Sequence, residues 1–140
     1  MTAAVPTKAG KVLLIDDDDL IAGSLRQYLA RQGCDVDVAV EQTSAAKLMR
    51  AQPYRVIIVD PFLTGGVHHL STALIDDIAL LQPEASVMVV TGYGSPELSQ
   101  LATSARLPIL VKPQSVVTLG ELIVGALTGS PQLSSQGLKE

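Results

Sequence analysis

The chain has 140 residues, 47% of them hydrophobic and 17% charged, with a mean hydropathy of +0.34. That length suits one domain burying about two-thirds of its unfolded surface, and the composition is too apolar for a disordered chain. Fourteen acidic residues against ten basic ones leave a net charge of −4, which argues against direct nucleic-acid binding, because general attraction to phosphate backbones needs positive charge.

Apolar runs such as 11–15 and 86–90 are far shorter than the ~20 residues of a spanning helix, and Met1 to Lys11 lacks the apolar centre of a signal peptide. No membrane association and a cytoplasmic chain are expected. Cys34 is a single cysteine, so it forms no internal disulfide or thiolate cluster, and with no basic neighbour it reads as structural. Four aromatic residues are too few for a base-stacking platform.

Lys11-Val-Leu-Leu-Ile15 is a continuous apolar run ending in acids, the pattern of a central parallel strand covered on both faces. Ile21, Leu25, Tyr28 and Leu29 mark a helix that Gly33 stops, and Asp35 to Ala39 is the next strand. Ala45, Leu48 and Met49 mark a second helix ending before Pro53, and Tyr54 to Val59 is a third strand that stops at Asp60. Beyond a Gly65-Gly66 loop, Leu70, Leu74, Ile78 and Leu81 space a third helix closed by Pro83, and Ser86 to Thr91 is a fourth strand. Ser95-Pro96-Glu97 opens a fourth helix, with Leu98, Leu101, Ala102 and Ala105 as its stripe. Leu107 to Val111 is a fifth strand, interrupted by Lys112-Pro113. Leu119, Leu122, Ile123, Ala126 and Leu127 form a final helix.

Strict alternation of apolar strands and amphipathic helices predicts an α/β fold: a (βα)5 doubly wound parallel five-stranded sheet in the flavodoxin-like order 2-1-3-4-5. The expected organisation is a flexible 1–9, one domain over 10–129, and a Gly/Ser/Pro-rich tail or linker over 130–140. In such sheets ligands bind beyond the carboxyl ends of the strands. Those ends carry Asp16 and Asp17, Asp60, Thr91 and Lys112. Three close carboxylates repel one another unless a cation neutralises them, and an oxygen-only site with room for water and phosphate is the preference of Mg²⁺ rather than zinc. A lysine, a metal and a small hydroxyl converging on one carboxylate suit phosphoryl transfer, with Asp60 as candidate phosphoacceptor.

Val-Leu-Leu-Ile-Asp16-Asp17-Asp18, Ile-Ile-Val-Asp60, Val-Val-Thr91-Gly-Tyr93-Gly-Ser and Leu-Val-Lys112-Pro113 together resemble the receiver domain of bacterial two-component response regulators, over about residues 10–129. The resemblance implies that Asp60 accepts a phosphoryl group from a sensor histidine kinase or a histidine phosphotransferase. It also implies that Asp16, Asp17 and Asp60 hold Mg²⁺ with the Phe62 carbonyl, that Thr91 and Lys112 bind phosphoryl oxygens, and that the Lys112-Pro113 bond is cis. Output then runs through protein contacts, with a possible homodimer through the face of the fourth helix, fifth strand and fifth helix.

The chain departs from the family pattern at Ile109, where an aromatic is usual, and in the loop from Pro61 to His69. Switching through Tyr93 is one expectation, and screening of the acyl phosphate from water by Phe62 and Tyr93 is another. Asp18 and Asp19 read as helix-start residues favoured by the helix dipole, and His68-His69 as solvated loop residues. Val117 and Val124, seven apart on the final helix, mark an apolar outer surface suited to a partner. Two other readings compete: a small Mg-dependent phosphatase-type hydrolase with Asp16 as nucleophile, and a pseudo-receiver that only binds partners.

Overall fold

Valine, isoleucine and leucine dominate the three central strands, which are buried on both faces along most of their length, while the two edge strands are only partly covered. The computed structural model describes residues 11–17, 19–61, 72–92, 96–105, 107–112 and 115–127. The strands are β1 (Lys11–Ile15), β2 (Asp35–Ala39), β3 (Val56–Val59), β4 (Ser86–Thr91) and β5 (Ile109–Val111). Between and after them run α1 (Asp19–Arg31), α2 (Gln42–Ala51), α3 (Thr72–Leu81), α4 (Pro96–Ala105) and α5 (Val116–Leu127). All strand pairs are parallel, in the order β2-β1-β3-β4-β5. This is the expected doubly wound sheet.

The two-residue side-chain period divides each strand between two cores. Val12, Leu14, Val56, Ile58, Met88 and Val90 pack with Leu25 and Leu29 of α1 and Leu119 and Ile123 of α5. Leu13, Ile15, Ile57, Val59 and Val89 pack with Met49, Leu74, Ile78 and Leu98 from α2, α3 and α4. Cys34 is buried, and burial pushes its thiol pKa up, which keeps it in the unreactive thiol form.

Gly33 ends α1 as its sequence position predicts. Its φ of 83° is left-handed, the Cys34 N–H donates to the Leu29 carbonyl, and the Gly33 N–H donates to the Ala30 carbonyl, the paired bonds of a Schellman ending. Two strands are shorter than expected. The Tyr54 N–H, predicted to join β3, donates to the Gln82 side-chain oxygen instead (2.9 Å). Pro108 has no N–H for the ladder, although its carbonyl accepts from Val89, so β5 starts at Ile109.

Gln82 is a feature that hydrophobic periodicity does not show. It is 7% exposed, and its amide nitrogen donates to the carbonyls of Met49 and Gln52, both at 2.8 Å. One side chain thus ties the end of α2 and the entry to β3 to the end of α3. On the surface, Val117 is 53% exposed as expected, but Val124 is half-buried against the core. α5 packs on both α1 and the sheet, so more than one of its stripes is covered.

Gln82→Leu removes the partners of three backbone groups, each costing about 1–3 kcal/mol if left unsatisfied. Urea unfolding is expected to show a loss of about 3 kcal/mol or more. The glycines of α1 and α5 should respond in opposite directions. A methyl at Gly23 meets open space, so Gly23→Ala should stabilise by about 1 kcal/mol through helix propensity. A methyl at Gly120 collides with the Tyr28 ring, so Gly120→Ala should cost about 1–3 kcal/mol, recovered in part when combined with Tyr28→Ala.

Candidate functional site

Ladder hydrogen bonds continue one residue past the strands and place the polar residues that follow. The Asp16 N–H donates to the Ala39 carbonyl (3.0 Å), the Asp60 N–H to the Ile15 carbonyl (2.9 Å) and the Lys112 N–H to the Thr91 carbonyl (2.9 Å). Proline follows both Asp60 and Lys112, and the residue before a proline is held extended, which favours this continuation of the strand. Asp16, Asp60 and Lys112 share the parity of Leu14, Ile58 and Leu110, so all three are directed to the α1/α5 side of the sheet. Ser115 starts α5 just beyond Lys112, its hydroxyl accepting from the Thr118 N–H at 3.0 Å.

The result is a shared ion pair. Lys112 Nζ lies 2.9 Å from Asp16 Oδ2 and 3.2 Å from Asp60 Oδ2. Strands are about 4.8 Å apart, so β5 stands two steps from β3 and three from β1, a gap that takes a side chain as long as lysine. Asp16 is 3% exposed and Asp60 6%, so both carboxylates are largely withdrawn from water. Burial pulls the Lys112 pKa down, but the hydrogen bond and charge of Asp16, joined by those of Asp60, carry it above the ordinary 10.5. The ammonium is therefore fully charged at neutral pH. Among the described residues, one ammonium thus faces two carboxylates in a poorly solvated place.

Of the five residues expected at the strand ends, Asp16, Asp60 and Lys112 meet directly. Thr91 is fully buried at the end of β4, joined to Lys112 through the backbone bond. Asp17 follows Asp16 but is exposed. Among the described residues, no group of three His, Cys, Asp or Glu is gathered closely enough to hold a metal by itself. The expectations for Asp18, Phe62, His68, His69, Tyr93 and Pro113 lie outside the described residues. Asp19 does fall in the first turn of α1 as expected. Among the described residues, no helix is long and apolar enough to cross a membrane.

A family model described as the response regulator receiver domain matches residues 12–123. No curated protein matches the chain. Among solved structures, the chain is similar to a response regulator from Burkholderia pseudomallei, crystallised with a phosphorylated aspartic acid, a calcium ion and citrate. The two are 30% identical with a TM-score of 0.75, over 93% of this chain and 72% of the other. A CheY-like receiver domain protein from Methanospirillum hungatei is 25% identical with a TM-score of 0.76, over 88% and 97% of the two chains. The beryllofluoride-activated NtrC4 receiver domain, solved as a dimer in solution, is 29% identical with a TM-score of 0.72, over 86% and 98%.

Removing the cation from the buried triad tests its electrostatics. Lys112→Met removes the ammonium that the two buried carboxylates share and should cost about 3–5 kcal/mol in urea unfolding at pH 7. In the wild type the Lys112 contribution has a limit at high pH: its folded pKa is raised, so it is complete below 10.5 and lost only as the pH climbs through the folded value. A loss in Lys112→Met below about 1 kcal/mol at pH 7, the size expected of an exposed ion pair, would contradict this account.

Proposed function

The chain belongs to the response regulator receiver domain family, and from that premise we propose that Asp60 is its phosphoacceptor, with Asp16, Thr91 and Lys112 as the supporting site. The observation that carries the proposal is the Lys112 ammonium shared between the buried Asp60 and Asp16 carboxylates at the carboxyl edge of the sheet. In the transfer, an Asp60 carboxylate oxygen attacks phosphorus and the phosphorus–nitrogen bond of a phosphohistidine breaks. The imidazole nitrogen keeps the electron pair. Lys112 offsets the charge on the transferred group, and the Thr91 hydroxyl serves as a hydrogen-bond donor to it. The donor is a sensor histidine kinase or a histidine phosphotransferase. The chain catalyses no turnover beyond gaining and losing this group.

A divalent cation fits the donor set, which at Asp16 and Asp60 is carboxylate oxygen alone. Asp16, Asp17, Asp60 and the Phe62 carbonyl would hold it, and Mg²⁺ is the ion that hard oxygen ligands with retained waters favour. When bound, it neutralises phosphoryl oxygens. The Burkholderia pseudomallei relative, with calcium and a phosphorylated aspartic acid, supports the reading.

Output is through protein contact over the domain 10–129. Val111 of β5 and Val117 of α5 are 55% and 53% exposed, and they give the α4, β5, α5 face an apolar surface for a partner or a second copy. The dimeric NtrC4 receiver is in keeping with the second copy.

Incubation with acetyl phosphate and Mg²⁺ followed by intact mass measurement should give a single phosphoryl adduct in the wild type and none in Asp60→Asn. Lys112→Ala should slow adduct formation by about 100-fold, the cost of losing one charge-stabilising donor. An adduct that survives Asp60→Asn and disappears in Asp16→Asn would point to the hydrolase reading. Absence of any adduct from the wild type would point to a binding-only domain.

A further inference from the structure

α2 and α3 lie side by side over the second core, and the Gln42 amide of α2 donates to Asp77 Oδ2 of α3 at 3.2 Å. Their inner stripes are spent on that core, but their outer ones are not. Leu74, Ile75 and Ile78 are buried, whereas Leu80 is 78% exposed, the highest value among the large hydrophobic residues described. Asp76, four positions earlier on the same face of α3, is exposed as well. On α2 the exposed stripe carries Lys47 and Arg50, three positions apart. Glu84, exposed just past α3, lines an open hollow between the two helix ends together with Arg50.

The fold does not match these charges internally. Lys11 is paired with Asp35 and Asp37, and Lys112 with Asp16 and Asp60, but among the described residues Lys47, Arg50, Asp76 and Glu84 form no ion pair. One face thus presents two cations on α2, two anions on and just after α3, and an exposed leucine among them. Such a face is complementary to itself. A two-fold axis running between the helices lays α2 of each copy on α3 of the other, so that opposite charges meet at both contacts. An apolar residue rimmed by charge is also the ordinary anatomy of an interface. With a net charge of −4, two copies repel as wholes, which favours a contact that supplies its own pairing. A partner of one charge sign would match only one of the two helices.

We propose that the α2/α3 face is a two-fold interface between copies of this chain, with Leu80 near its centre and Lys47 and Arg50 of one copy facing Asp76 and Glu84 of the other. It uses no residue of the phosphoryl site, and none of the surface formed by Val111 and Val117 on the far side of the molecule.

Sedimentation equilibrium on the full, unphosphorylated chain tests the proposal. The wild type should dimerise as its concentration rises. Leu80→Asp, the double variant Lys47→Glu with Arg50→Glu, and the double variant Asp76→Lys with Glu84→Lys should each raise the dimer dissociation constant by about 100-fold or more. The two charge-reversed variants mixed in equal amounts should pair with each other and restore the dimer, which a misfolded variant could not do. Val117→Asp should leave assembly unchanged. A wild type that stays monomeric up to about 1 mM, a dimer that survives either charge reversal, a mixture that stays monomeric, or a dimer lost in Val117→Asp overturns the proposal.

Discussion

One ammonium group held by two buried carboxylates sets the terms for this molecule. Lys112 reaches Asp16 and Asp60 from across the sheet, and without it the carboxyl edge would hold two anions withdrawn from water. Attraction in that setting is strong because screening is weak, and repulsion would be strong for the same reason. Among the described residues, that one ammonium is the positive charge shared by both acids.

The rest of the fold serves this juxtaposition. Parallel register brings Ile15 beside Val59, so the next residues, Asp16 and Asp60, emerge side by side. The β4–β5 pairing sets Thr91 against Val111, and the following ladder bond ties Lys112 to Thr91. Behind the site, two dry cores lock the strands from both faces, and the close approach of Tyr28 to Gly120 lets α1 and α5 pack tightly on one of them. The opposite edge is held by polar contacts instead. Gln82 joins α2, β3 and α3, while Asp37 accepts from Tyr54 at 2.6 Å and pairs with Lys11 at 3.3 Å. Burial and that Asp37 carboxylate together push the Tyr54 hydroxyl pKa well up, so it remains a hydrogen-bond donor at any ordinary pH.

Much of this could be read along the chain. Continuous apolar runs ending in acids announced parallel strands, because a strand covered on both faces has no polar side to alternate with. Gly33 announced the end of α1, since only a residue tolerant of positive φ closes a helix that way. Asp16, Asp60, Thr91 and Lys112 were legible as a set from their common position at strand ends. What periodicity could not show was Gln82, because a buried amide whose partners are distant backbone groups leaves no pattern in neighbouring residues. Val124 was misplaced for a related reason: helical spacing defines a face but not how many neighbours cover it.

The sequence by itself therefore determined the order and type of the elements, the two-faced burial of the strands and the identity of the residues at the carboxyl edge, all of which follow from local periodicity and backbone preference. The tertiary structure decided that Lys112 spans two to three strands to contact both acids, that Asp17 is exposed while Asp16 is buried, and that Arg55 holds the end of α5. These are contacts between residues 52 to 96 positions apart or differences in burial between adjacent residues. Neither is encoded by neighbours in the chain. They arise only once the sheet has brought its strand ends together.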